Sequence, residues 1–570
     1  MGQARTVRGT LTLLISINFI TTKEKLKPFP ILRHLLTAVL LLPLLCACLS
    51  EDHNDSGNTP VQIATANQYI NLSIVVSTGN ENATRADKPA GGEDGDGREA
   101  GFQRENEVTG ITLMLYEVAN ENDNLNDLSG DKKLAFIKYY PVTLVSGSRE
   151  EEGTSYPASN PSQKQIEAKY TTGNQSLEGS QLNLNQKYRA LVVANLDMTK
   201  EGFSLGSKVA DVLEHTSKSN PQLIYNGSSI GATAKEFVMS LESEENTLIK
   251  FDNPQTTTNA NGQVIRIFEF DNIRIERLAA RIDFWTKGAT FLEAAPGQGK
   301  LTGYEYPVYK TDNEKSKDKF ILTLIKPFNL YSGNEYIFKR IGKSDTDFMY
   351  LASKDDMTRD EVVLDPNTIE NKNSLPASRP GFMREDYWLD DIKDLDWNQL
   401  RENSYMTMQS VRNTNQWGNA VYNYTEDGST APNIIVGYSK ENTLPQDAPL
   451  YYYATGLRIE GDYYEDGWTN EETDSDGNNP KVKHLVYYGF LRHEGEGTGS
   501  YPIYTKEKLD QKKTELKNTF PMNFGVVRNN IYRVSIDKIT EREREQKDPE
   551  ITLQIKVKKW DKFTHEEIVM

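Results

Sequence analysis

The sequence predicts an all-β protein built from β-sandwich domains, and three observations carry that prediction. Alternating or continuous apolar segments recur at strand length along the chain. Polar, turn-rich loops join them. Only one segment shows a clear helical stripe, so helices are expected to be few and short. At 570 residues the chain is too long for one ordinary core, and two sandwiches in tandem are expected, with a boundary near residue 272. The 29 Tyr and 20 Phe, with widespread Val, Ile and Thr, suit pleated, half-buried surfaces better than helices.

At the N-terminus, Lys23, Lys25, Lys27, Arg33 and His34 precede the apolar run LLTAVLLLPLLCAC, the layout of a signal region over residues 1–47. The run is short for a membrane span of roughly 20 residues. Residues before about 20 read as an over-extended start, because a signal n-region is normally short. Leu45, Cys46, Ala47 and Cys48 resemble a bacterial lipobox, which makes Cys48 the expected lipid anchor; the alternative is a plain secretory signal cut nearby. With Cys46 and Cys48 the only cysteines, the folded body has neither a disulfide nor a thiolate cluster, and its stability must come from burial. Residues 48–67 read as a polar tether.

The first domain, 68–271, is expected to open on the strand QYINLSIVVST (68–78), with Ile70, Leu72, Ile74 and Val76 on one face. An acidic, Gly-rich loop follows over 79–107, holding Arg85, Arg98 and Arg104, and long exposed loops are where proteases cut. Strands are expected over 108–118, 133–145 and 187–196. One helix is expected in SLGSKVADVLEHT, with Ser204 as N-cap and Leu205, Val209, Val212 and Leu213 in a stripe. The second domain, 272–570, takes in strand segments at 263–285, DKFILTLI, LYYYATGLRIE and HLVYYGFLR, interrupted by polar insertions at 353–400 and 461–480. It closes on GVVRNNIYRVSID, a charged run EREREQKDPE, and ITLQIKVKKW.

Composition and motifs exclude several functions. With 82 Asp plus Glu against 65 Lys plus Arg, the average surface repels a phosphate backbone, so no nucleic acid partner is expected. The six histidines form no HExxH or other ligand spacing; His484 and His493 flank a strand, where a satisfied or solvent-facing histidine is the plain reading. GEGTGS (495–500) leads to no helix and reads as a hairpin loop rather than a phosphate cradle. TDSDGNNP and GGEDGDG lack the closing Glu of an EF-hand and read as solvated loops. No paired acids stand out from a background this rich in Asp and Glu. No enzyme, cofactor or metal site is expected.

Four places carry a family resemblance: LCAC; INLSIVVST followed by ATRAD; IERLAARIDFW; and GVVRNNIYRVSID with ITLQIKVKKW. With the weaker KYRALVVANL, they resemble the fimbrillins of the Bacteroidetes type V pilus, FimA-type and Mfa-type subunits, and are most similar to the minor, Mfa-type subunit. The resemblance implies two transthyretin-like β-sandwich domains. It also implies export as a lipoprotein to the outer membrane, then cleavage by an arginine-specific protease after the first strand. Arg85, in ATRAD, takes the place of the processing arginine, with Arg98 and Arg104 as alternatives. The cut removes the first strand, and a C-terminal strand from the next subunit fills the groove. The subunit then resides in an extracellular fimbrium, its partners being further copies or related subunits. The extended terminal pair argues against a terminating anchor subunit.

The residues support that scheme on physical grounds. Losing Ile70, Leu72, Ile74 and Val76 exposes apolar pockets and an open strand edge. Ile551, Leu553, Ile555 and Val557 alternate with polar residues in the terminal segment 551–570 and offer a replacement face of the same period. Burying four such side chains gives roughly 6 to 10 kcal/mol before ordering costs. Alternation alone does not tell a donor from a core strand, so both terminal strands remaining in the second sandwich is the alternative. Other readings are a monomeric surface lipoprotein that binds glycan or protein, or an adaptor or tip subunit; the insertion after residue 353 leaves this open.

Overall fold

Apolar alternation becomes one-sided burial in the structure, a computed structural model that describes residues 62–76, 98–100, 103–127, 131–145, 169–217, 236–292, 303–329, 334–344, 346–351, 361–366, 368, 406–407, 421–426, 428–465, 482–493, 500–512, 514–520, 522–541 and 548–561. The described residues form an 11-stranded sheet, a 14-stranded sheet and two small sheets of 2 and 3 strands. The architecture is all-β. Among the described residues the α-helices are Val209–Leu213, Leu450–Tyr453 and Lys506–Lys512, each two turns or less.

The first sheet runs from Leu134–Pro141 through Gly110–Val118, Lys187–Ala194, Met239–Leu241 and Val264–Arg277 to the first strand, Gln68–Val76. Beyond the first strand lie Lys169–Thr171 and Thr143–Leu144. Parallel pairing joins the first strand to Val264–Arg277, from Gln68 opposite Arg266 to Val76 opposite Ile275. Val264–Arg277 is also where the chain changes sheets. It ends in the first sheet at Arg277, and after Leu278 the strand Ala279–Trp285 belongs to the second. Residue 272 lies inside that strand. Every residue of Ala279–Trp285 is buried, because the second sheet flanks it on both edges, antiparallel with Ser429–Lys440 and parallel with Asn530–Thr540. Buried apolar side chains of both sheets join one core, in which Ile70, Leu113 and Ile275 are continuous with Phe284, Val534 and Leu553.

Several expected elements differ in detail. The helix spans only Val209–Leu213; its N-cap is Lys208, not Ser204, and Leu205 is exposed. Gly206 stands at φ +83°, a left-handed turn that keeps Ser204 and Leu205 out of the helix. Val209, Val212 and Leu213 do share the buried face. In LYYYATGLRIE the first four residues make a helical turn, and the strand begins at Gly456 and continues to Tyr464, into the expected insertion at 461–480. The polar insertion 353–400 contributes a strand of its own: Val362–Leu364, fully buried, pairs with Arg340–Ser344. The expected strand 133–145 is interrupted at Val142, whose N–H turns aside to the carbonyl of Thr109.

Candidate functional site: the exchangeable strands and the arginine segment

Ile70, Leu72, Ile74 and Val76 of the first strand have no exposed area. Their strand lies inside its sheet, with Val264–Arg277 on one edge and Lys169–Thr171 and Gln175–Ser176 on the other. Cys48 and Arg85 lie outside the described residues, as do TDSDGNNP, GGEDGDG and most of GEGTGS. Arg98 opens a short strand, Arg98–Ala100, which pairs with the chain's last strand. Arg104 sits in the 3-10 turn Gln103–Asn106.

That turn is clamped by charge. Glu105 and Asn106 are buried, and the Glu105 carboxylate meets Arg281 Nη1 at 3.1 Å and accepts from the Tyr438 hydroxyl. Arg277 donates through Nε to the Glu105 carbonyl at 3.0 Å and through its other nitrogens to Asn529 and Asn106. Asp283 then couples Arg281, at 3.0 Å, to Arg533 of the penultimate strand, Asn530–Thr540, also at 3.0 Å. All these guanidiniums and carboxylates are at most 1 % exposed. A buried pair that loses one partner costs about 3 to 5 kcal/mol, so the network holds the turn and the penultimate strand in place. Arg528, just upstream, is held the same way by Glu441 at 2.9 Å and by the carbonyl of Ile337.

This network is the feature sequence reasoning missed. Its signal was present: Arg277, Arg281, Asp283, Arg528 and Arg533 interrupt otherwise apolar strand segments, where a solvated face would need consistent polar alternation.

The terminal strand, Glu550–Asp561, is tied less deeply: its Lys556 meets Glu426 at 3.1 Å, with both side chains partly exposed. It pairs along the outer edge of the penultimate strand, from Glu550 opposite Thr540 to Lys559 opposite Asn530. Ile551, Leu553, Ile555 and Val557 are all 5 % exposed or less. The intervening Thr552, Gln554 and Lys556 are half-buried. On its far edge Ser500–Pro502 pairs with residues 552–554. A cavity beside it is lined by Phe490, Arg492, Tyr501, Phe524, Leu553 and Ile555, with the Arg492 guanidinium stacked 4.1 Å from the Tyr501 ring centre and 4.3 Å from that of Phe524.

Gly489 shapes the seat of the terminal strand. A Cβ there would lie 2.6 Å from Ile503 Cγ2 and 2.7 Å from Leu553 Cδ1. Gly489→Val is therefore expected to push Leu553 outward at a cost of about 1 to 3 kcal/mol. The check is hydrogen exchange, which should quicken at residues 550–557 and stay unchanged in the first sheet.

Each described histidine has a protein partner. His493 is buried against the Tyr532 hydroxyl at 2.8 Å, and His215 meets Glu201 at 3.3 Å. His484 pairs with Asp462 at 2.7 Å and Glu460 at 3.4 Å. Burial pulls its pKa down, but the two carboxylates outweigh that and bring it up to about 9. Because the folded state favours the protonated ring, its stabilisation is full below the ordinary value of about 6.5 and fades as pH rises through 9. Lys326, two strands away in the same sheet, is pulled down to about 7 by burial and then by Arg458, and slopes the other way. The difference between wild type and His484→Gln isolates the histidine: about 3 kcal/mol at pH 6, shrinking toward zero by about pH 9.5 in urea unfolding.

No group of three or more His, Cys, Asp or Glu suited to a metal ion occurs among the described residues, and no helix there is long and apolar enough to cross a membrane. The arrangement is thus of an all-β protein in which two strands near the chain ends carry matched apolar faces, one inside each large sheet. Among solved structures, the chain is similar to the tip fimbrial protein Mfa3 of Porphyromonas gingivalis, with C-terminal truncation, at 11% identity and a TM-score of 0.31, covering 86% of this chain and 99% of that one. It is also similar to a fimbrilin (FimA) of Porphyromonas gingivalis at 14% identity and a TM-score of 0.30, covering 88% and 99%. No family model and no curated protein matches the chain. At TM-scores this low, the functional reading rests on the chain's own residues.

Proposed function

We propose that the chain is a structural subunit of a cell-surface fimbria. It is exported as a lipoprotein through Cys48 to the outer membrane, cleaved after Arg85, and polymerised by strand exchange into an extracellular fimbrium that supports adhesion. On this reading residues 68–271 form the accepting sandwich and 272–570 the donating one. The observation that carries it is the first strand: four fully buried apolar side chains, in the interior of a sheet, upstream of Arg85, so that one cut there severs them from the rest of the chain. Burial of four such groups is worth roughly 6 to 10 kcal/mol, comparable with the whole stability of a typical domain, so the cleaved form needs a replacement strand.

The buried network supports Arg85 over the other two arginines. A protease binds its substrate as an extended segment, and Arg98 is paired as a strand while Arg104 precedes the clamped Glu105. The same network supports the terminal strand as donor. Withdrawing the penultimate strand would leave Asp283 without Arg533 in the core, whereas the terminal strand gives up an apolar face and the partly exposed Lys556–Glu426 pair. Because that face is already buried in its own chain, the gain on exchange is the filled groove less the vacated seat. The full 6 to 10 kcal/mol expected from its four side chains does not accrue.

A monomeric surface lipoprotein that binds glycan or protein is the alternative, as is an adaptor or tip subunit of the fimbria. The aromatic run LYYYATG is of a kind that would suit a ligand-binding surface, but Leu450 and Tyr453 in it are buried, which weakens the first of these. The test is treatment of the purified chain with an arginine-specific protease. Ladders on unheated gels that disappear in Arg85→Ala, or on deletion of residues 551–570, support strand exchange. A single trimmed monomer refutes it.

A further inference from the structure

The strand Arg98–Ala100 stands apart from the rest of the N-terminal region. The first strand belongs to the first sheet, but Arg98–Ala100 crosses to the second and pairs in parallel with the end of the terminal strand: Arg98 with Lys559, Glu99 with Trp560, Ala100 with Asp561. The penultimate strand reaches only as far as Lys559. Trp560 and Asp561 thus take their strand pairing, among the described residues, from the N-terminal segment. Downstream, Arg98–Ala100 hangs from the Glu105 clamp, a fixed point in the core.

A strand paired along its length comes away most readily from an end, since each residue released there frees the next. At its start, the terminal strand is held on both edges, by Asn530–Thr540 and by Ser500–Pro502. Its finish is where Arg98–Ala100 sits. We propose that Arg98–Ala100 is a latch that pins the free end of the terminal strand in the uncleaved chain, so that the segment cut in processing also restrains the donor. This rests on the strand-exchange reading. Three residues of pairing are too few to persist on their own, and they depend on the chain being tied down at both ends. A cut after Arg85 frees the upstream end and a cut after Arg98 divides the latch itself. Either way, opening the accepting groove and loosening the donor strand become consequences of one event, and unprocessed subunits do not exchange strands early.

Two measurements on the full chain test it. In hydrogen exchange, Ala100→Pro should speed exchange at residues 559–561 at least tenfold with residues 68–76 unaffected, and cleavage of the wild-type chain should do the same. Unchanged exchange in both overturns the latch. In the second, Glu99→Cys and Trp560→Cys are combined with Cys46→Ser and Cys48→Ser. Oxidised and then cleaved, this variant should form no ladders, and reductant should restore them; ladders from the oxidised form overturn the latch. If even wild type forms no ladders, the strand-exchange reading fails, while the exchange measurement still decides the latch.

Discussion

Cleavage that removes the first strand is expected to lower the unfolding free energy of the chain by roughly 6 to 10 kcal/mol, the transfer value of Ile70, Leu72, Ile74 and Val76. A loss that size exceeds what many domains possess, so the first sheet should become metastable and bind hydrophobic dyes. Adding a peptide of residues 68–78 should restore the urea midpoint in a concentration-dependent way, as any ligand specific for the folded state does. A peptide of residues 550–561 should do so as well, because its apolar face has the same period and length. Its backbone supplies the same ladder of hydrogen bonds to the vacant edge of Val264–Arg277. A variant of that peptide with Leu553→Asp and Ile555→Asp should not. If the cleaved chain keeps the stability of the intact one, the first strand is dispensable and no groove is opened.

Asp283→Asn is the second large effect. The change is nearly isosteric, yet it leaves the Arg281 and Arg533 guanidiniums short of one buried negative charge. The expected loss is about 3 to 5 kcal/mol for one broken buried pair, and more if both are affected. Urea unfolding checks it. Since Asp283 ties the crossing strand to the penultimate strand, the transition should shift as a whole, with no separate early phase from the terminal strand. Pairing Asp283→Leu with Arg533→Met should recover part of the loss, because two apolar groups of similar volume replace two desolvated charges.

Much of this was legible in the sequence. A period of two with Ile, Leu and Val on one side marked Gln68–Val76 and Glu550–Asp561 as strands, and their apolar positions are the buried ones. A largely apolar run at strand length marked Ala279–Trp285, buried on both faces despite Arg281 and Asp283 within it. Other features were not legible. Ser204 looks like an N-cap, but Gly206 in a left-handed turn settles where the helix begins. Val362–Leu364 is too short to stand out from its polar surroundings, and becomes a strand only because Arg340–Ser344 lies beside it. Arg281 and Arg533 would ordinarily be assigned to a surface, and only their carboxylate partners, far away along the chain, make burial tolerable.

What the sequence determines by itself is which face of each segment turns inward, because alternate side chains on a strand point opposite ways and burial of apolar area sorts them. It also determines that no disulfide staples the folded body, since the only cysteines are Cys46 and Cys48. Only the tertiary structure decides which edges meet. It set the first strand beside Val264–Arg277 rather than at a sheet margin, brought Arg98–Ala100 to the end of the terminal strand, and gathered the buried arginines around Glu105 and Asp283. The reason is that edges pair through backbone N–H and C=O groups, which every residue but proline carries alike, so lateral partners are selected by the packing of the whole molecule.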